Sequence, residues 1–145
     1  MRRLITVFIL SVFAQNLIAQ VEKEATVIEH IKELDTPPII SGCNSKMEKN
    51  EIIECLKTRF SEILVKKLRP SVFQSQNLPQ GKHTVISTFK ISKTGEITDI
   101  KVNYDNENIV NEITRALKSI RKIKPGIIDG KPVGVKYSFP LYFTL

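Results

Sequence analysis

The side chains able to do chemistry in this sequence are few and scattered. His30 lies in a charged leading stretch and His83 at the start of a strand-like pattern, and no H-E-x-x-H, G-x-S-x-G or P-loop spacing accompanies either. A general base needs a partner that orients it and a reacting group within reach, and nothing adjacent in sequence supplies one. The acidic residues gather at helix starts and turns, where capping and the helix dipole account for them. The chain therefore reads as a non-enzyme with no cofactor and no metal site. The rival, a periplasmic hydrolase or inhibitor, would have to work through His83.

Cys43 and Cys55 are the two cysteines, 12 positions apart. In an oxidising compartment they can join, and closing so short a loop stabilises by up to about 3 kcal/mol on the chain-entropy account. A catalytic or metal-binding thiol pair is the alternative, but neither a C-x-x-C spacing nor a nearby histidine supports it. A structural disulfide is the expectation. A basic group, Arg115, Lys118, Arg121, Lys122, Lys124 and Lys131, surrounds the end of a helical pattern. A solvated face complementing the helix dipole explains it more simply than an anion or acidic-peptide site.

The segments that must position these residues begin with an export signal. Arg2 and Arg3 precede an apolar run from Leu4 to Ala14, and Leu17-Ile18-Ala19 offers a small residue before a cut near Ala19. A retained membrane anchor is the alternative, although Gln15 and Asn16 interrupt a run shorter than the roughly 20 apolar residues a span requires. Loss of residues 1–19 would leave 20 basic against 15 acidic residues. An exported chain of this charge is not expected to meet nucleic acid; a solvated mixed-charge surface is the simpler reading, and anionic envelope components or acidic protein segments are the partners it would otherwise suit. At 145 residues with 41% hydrophobic content, there is room for one folded domain. Residues 20–36 form a charged leader and 37–145 the domain.

Within the domain, Ser45-x-x-Glu48 has capping-box form, and Ile52, Ile53, Leu56, Phe60, Ile63, Leu64 and Leu68 fall on one helical face that stops at Arg69-Pro70. Residues 71–80 read as a loop. Val85, Ser87, Phe89 and Ile91 then alternate with Ile86, Thr88 and Lys90, Ser92 to Gly95 forms a hairpin turn, and Ile97 to Tyr104 returns. A second helix follows Asp105 to Asn108, with Ile109, Val110, Ile113, Ala116, Leu117 and Ile120 on its apolar face. In the last strand Val133, Val135, Tyr137, Phe139, Leu141 and Phe143 point one way, and Lys136, Ser138 and Thr144 the other.

The predicted fold is α+β with topology α-β-β-α-β. A three-stranded antiparallel or mixed sheet, strand order 2-1-3, carries both helices on one face as a two-layer sandwich. Pro140 places the last strand at an edge, since it donates no backbone hydrogen bond.

Three stretches together resemble the carboxy-terminal domain of TonB-type energy transducers. They are Ile91-Ser92-Lys93-Thr94-Gly95-Glu96-Ile97-Thr98-Asp99-Ile100-Lys101-Val102, then Lys122-Ile123-Lys124-Pro125-Gly126, then Gly130-Lys131-Pro132-Val133 through Tyr137-Ser138-Phe139-Pro140-Leu141-Tyr142-Phe143. Pro38-Ile39-Ile40-Ser41-Gly42-Cys43 and Cys55-Leu56 are similar to its cysteine-containing branch. The resemblance spans roughly residues 37–145. It implies a periplasmic domain that captures an extended segment of an outer-membrane receptor or other envelope protein, the TonB box, by adding it as a strand to the sheet edge.

The edge it points to comprises Val135, Lys136, Tyr137, Ser138, Phe139 and Tyr142, with Lys136, Ser138 and Tyr142 nearest the guest. Self-pairing of that edge into a homodimer is the other partner it admits. The chain lacks the long Pro-rich spacer of a force-transmitting transducer, and residues 20–36 extend at most about 60 Å. A soluble adaptor is therefore the first reading, and a short transducer anchored in the inner membrane and facing the periplasm the second.

Overall fold

The computed structural model describes the backbone at Val27–Ile28 and residues 30–145. The expected signal, residues 1–19, and the start of the charged leader lie outside the described residues. Among the described residues, no helix is long and apolar enough to cross a membrane.

The fold is α+β. Its elements are β1 (Val27–Ile28), a 3-10 turn (Ile31–Glu33), α1 (Lys49–Lys67), α2 (Pro70–Gln74), β2 (Lys82–Ile91), β3 (Ile97–Asn103), α3 (Glu107–Lys118), β4 (Gly126–Ile128) and β5 (Lys131–Thr144). The sheet runs β1-β5-β2-β3, and β4 also pairs with β5. The long central strand β2 is antiparallel to both β3 and β5, from Lys82 opposite Thr144 to Ile91 opposite Val135 on the β5 side. A three-stranded sheet is thus corrected. The three long strands have β2 in the middle, but β5 also pairs with two short strands, β1 and β4, that the sequence pattern does not mark.

Both additions have local causes. Asp129 (φ 49°) and Gly130 (φ 71°) take the left-handed conformations of a tight hairpin turn, so Gly126–Ile128 folds back onto Lys131–Val133. On the side of β5 away from β2, β1 lies parallel to β5 with Val27 opposite Gly134 and Ile28 opposite Val135. Its β-branched pair suits a strand, but a two-residue strand is too short to show periodicity.

The helices also differ in detail from expectation. The start of α1 is set by Glu48 and Glu51, not by Ser45: the Glu48 N–H donates to the Glu51 carboxylate at 3.0 Å. Ile52, Ile53, Leu56, Phe60 and Leu64 form its buried face. It ends at Lys67, and Pro70 then begins the one-turn α2 inside the stretch expected to be a loop. Proline at a first helical position costs nothing, because that N–H has no helical acceptor. Asn106 caps α3 by accepting from the Ile109 N–H at 3.1 Å, and α3 ends at Lys118 with Ile120 and Ile123 still buried in the irregular stretch beyond it.

One apolar cluster joins α1, α3 and the inward side of the sheet. At its centre Phe60 stacks on Phe89 at 5.2 Å and meets Phe139 edge-on at 5.2 Å. The Cys43–Cys55 disulfide is formed, with Cα atoms 5.9 Å apart, and pins the segment before α1 to that helix's second turn. The β2–β3 turn uses Gly95 at φ 81°, where an added Cβ would lie 1.8 Å from the Ile123 carbonyl oxygen, so only glycine fits.

Candidate functional site

The β5 strand alternates as its sequence requires, and that alternation divides the six residues assigned to the peptide-binding edge. Val135 and Phe139 are buried in the core, and Tyr137 is half-buried against Phe60 and Phe89. Burial, reinforced by the Glu54 carboxylate, pushes the Tyr137 hydroxyl up to about 12, so it stays protonated at neutral pH. Val135 and Phe139 can offer a guest only their backbone. Lys136, Ser138 and Tyr142 are exposed, and Tyr142 is one of three large apolar side chains exposed among the described residues, at 70%.

The chain's own leader divides the same six residues lengthwise. Val27–Ile28 pairs along Gly134–Val135, and the following turn, His30 to Glu33, shares a surface pocket with Lys136, Tyr137 and Ser138. The leader then returns across β4: Thr36 and Ile127 exchange backbone hydrogen bonds at 3.2 and 2.9 Å, and Ile39 and Lys124 at 3.1 and 2.8 Å. Leu34 is fully buried there. Residues 134–138 are therefore flanked by the leader. Along 139–144, among the described residues, β2 is the only strand that pairs.

Beside that second stretch lies a groove of about 240 Å³ between the end of α1, α2 and the last residues of the chain. Val65, Leu68, Phe73, Leu141 and Phe143 are among its lining. Phe73 meets Phe143 edge-on at 5.0 Å, and His83 stacks on the other side of Phe143 at 4.9 Å. His83 holds its place by two bonds. Its Nε2–H donates to the Pro79 carbonyl at 2.8 Å, and its Nδ1 shares a hydrogen bond with the Tyr104 hydroxyl at 2.9 Å. Burial, with the Asp105 charge, raises the Tyr104 hydroxyl above its ordinary range. His83 thus ties the loop before β2 to β3 and braces the groove.

One cluster is not marked by any sequence motif. Glu112 on α3 is buried, and its carboxylate accepts from the Arg69 backbone N–H at 2.8 Å, from both the Arg69 and Arg115 guanidinium groups, and so closes the α1–α2 junction onto α3. Arg115 also donates to the Lys67 carbonyl at 2.6 Å. Hydrogen bonds from Arg115, working against burial and joined by those from Arg69, hold the Glu112 carboxyl down at about 2. A glutamate in the middle of an apolar helical face, between Ile109 and Ala116, was the available signal. Arg115, placed by sequence in a solvated basic face, has this partner instead. Both carboxylate oxygens of Glu112 are taken up by structural bonds, so the cluster holds elements together and is not a candidate for acid–base chemistry.

No group of three or more potential metal ligands forms among the described residues. No family profile matches the chain, and no curated protein matches it in sequence.

Proposed function

We propose that this protein is a non-enzymatic exported domain, resembling the TonB carboxy-terminal domain, that binds an extended segment of an envelope partner as an added strand along β5. The observation that carries the proposal is the pairing of β1. The outer side of β5 takes a parallel strand at Gly134–Val135, so the backbone there accepts the kind of ladder a guest would make, and the same strand continues for six residues beyond Ser138. Backbone bonds of this kind supply affinity, while side chains on alternate positions select sequence. The disulfide fits an oxidising compartment such as the periplasm.

Relative to the sequence expectation, the guest site moves along the strand, from 135–142 to 139–144, because the leader flanks the first part. Titration of isotope-labelled protein with peptides from the amino-terminal segments of outer-membrane receptors tests this. Amide shifts at Phe139, at Leu141 to Thr144 and at the facing residues of β2 are expected, Pro140 having no amide hydrogen, and shifts confined to α1 and α3 would remove strand addition as the mode of binding.

A further inference from the structure

We infer that the outer face of the sheet, turned away from the helices, is a docking surface for an anionic lipid bilayer. This goes beyond strand addition and does not depend on it, because it uses the face of the sheet and not its rim.

Residues directly opposite one another in a sheet point to the same side. Along β2 the side chains of one face are Lys82, Thr84, Ile86, Thr88 and Lys90, alternating with residues such as Val85 and Phe89 that are buried against the helices. Across from them on β5, Tyr142 stands opposite Thr84 and Pro140 opposite Ile86. On β3, Lys101 stands opposite Thr88. Two of the three large apolar side chains exposed among the described residues are on this face, Tyr142 at 70% and Ile86 at 46%.

The charge of the face has one sign. Among the described residues, Lys82, Lys90 and Lys101 form no ion pair, and Lys136 stands opposite Lys90. The acidic residue on β2, β3 and β5 is Asp99, at the irregularity in the β2–β3 register. A Cβ on Gly134 would lie 2.6 Å from the Lys90 Cε, so the absence of a side chain there lets the Lys90 stem run over β5. The result is a short apolar stripe, Ile86, Pro140 and Tyr142, set among hydroxyls and lysines.

That composition favours a lipid surface over a protein. Lysine is depleted in protein–protein interfaces, whose cores are apolar. At a bilayer surface, tyrosine settles at the headgroup level, lysine stems lie along apolar ground with their ammonium groups outward, and anionic headgroups attract each lysine. The ladders on both sides of β2 already use its backbone groups, so this face binds through side chains alone.

The test uses the full chain with vesicles of phosphatidylcholine, alone or with about one-third phosphatidylglycerol. The neutral vesicles register whatever the apolar run from Leu4 to Ala14 contributes. Anionic vesicles should bind more tightly, and the gain should vanish in high salt. Lys82→Gln with Lys101→Gln should weaken anionic binding about fivefold per lysine removed. Lys66→Gln with Lys118→Gln, the same loss of charge on α1 and α3, should weaken it by about twofold at most. All four lysines are exposed, so both variants should unfold at the temperature of the parent. The chain has no tryptophan, and Tyr142→Trp should give an emission that shifts to the blue on anionic vesicles.

No gain from phosphatidylglycerol, or equal losses in the two lysine pairs, would overturn the docking role of this face. Soluble polyglutamate binding as tightly as the vesicles, with the emission unshifted, would overturn the lipid in favour of an acidic protein segment. Each of these outcomes leaves strand addition along 139–144 standing.

Discussion

Along its outer side β5 meets two different neighbourhoods. Residues 134–138 lie against the leader, with Val27–Ile28 hydrogen-bonded in parallel and the Ile31–Glu33 turn beside them. Residues 139–145 border a groove whose opposite wall is the end of α1 and the single turn of α2. The same alternation of apolar and polar side chains runs through both stretches, so the difference does not come from β5 itself. It comes from what the rest of the chain brings alongside: a leader held by the disulfide and by the Thr36 and Ile39 bridges in one case, and a helix stopped by Pro70 in the other. An edge strand can be protected over part of its length and usable over the remainder.

Both neighbourhoods rest on one support. Phe60 touches Phe89, Tyr137 and Phe139, the aromatic residues beneath the boundary between the two stretches. Phe60→Ala should cost about 3–5 kcal/mol, read in urea denaturation, and both stretches should lose hydrogen-exchange protection together. Loss of protection in only one would mean they are supported independently.

Removing the disulfide should separate them. The double substitution Cys43→Ser with Cys55→Ser should cost up to about 3 kcal/mol. Because the bond anchors the segment that leads from the leader, exchange should rise at 30–40 and 134–138 more than at 139–144. A uniform rise would show that the bond acts on overall stability and not on the leader's hold.

Glu112 acts on the opposite side. Its carboxyl is held at about 2 in the folded protein against an ordinary value near 4.5. The folded value is depressed, so the stabilisation is complete above the unfolded value and is lost as pH falls from about 5 toward 2, amounting to on the order of 2–3 kcal/mol. Since Arg69 immediately precedes α2, acid should loosen 70–74 and 141–145 before 134–138. Glu112→Gln should flatten that part of the pH profile, and an unchanged acid limb would show that other carboxylates govern it.

The smallest effect belongs to Ser87, which lies on β2 opposite Phe139, where the two stretches meet. Its hydroxyl is buried without a hydrogen-bond partner. Ser87→Ala removes the unsatisfied group and should leave stability unchanged or raise it by up to about 1 kcal/mol, measured by thermal unfolding. A loss greater than that would show that the hydroxyl has a partner in solution.

The long elements were legible because each carries many residues of one period. Alternation through Val133–Phe143, that through Val85–Ile91 broken only by Ile86, and the spacing from Ile52 to Leu64 need no tertiary contact to be read. The Asp129-Gly130 turn was also available, and with it β4, though the apolar residues before it are too few to mark a strand alone. The α2 turn was hidden by its length, since five residues around one buried Phe73 show no repeat. The start of α1 lies at Glu48, three residues past Ser45, where the Glu51 carboxylate accepts from the Glu48 N–H.

Sequence alone determined that two amphipathic helices and three alternating strands exist, that Cys43 and Cys55 lie close enough in the chain to join, and which side chains of β5 face the core. These are short-range properties, set by backbone periodicity and by apolar burial. Only the tertiary structure decided that the leader lies against residues 134–138, that Glu112 gathers Arg69 and Arg115, and that Val65, Phe73 and Phe143 enclose a groove beside 139–145. Each of those joins segments distant in sequence, where the outcome depends on how already formed elements pack, and no local pattern records it.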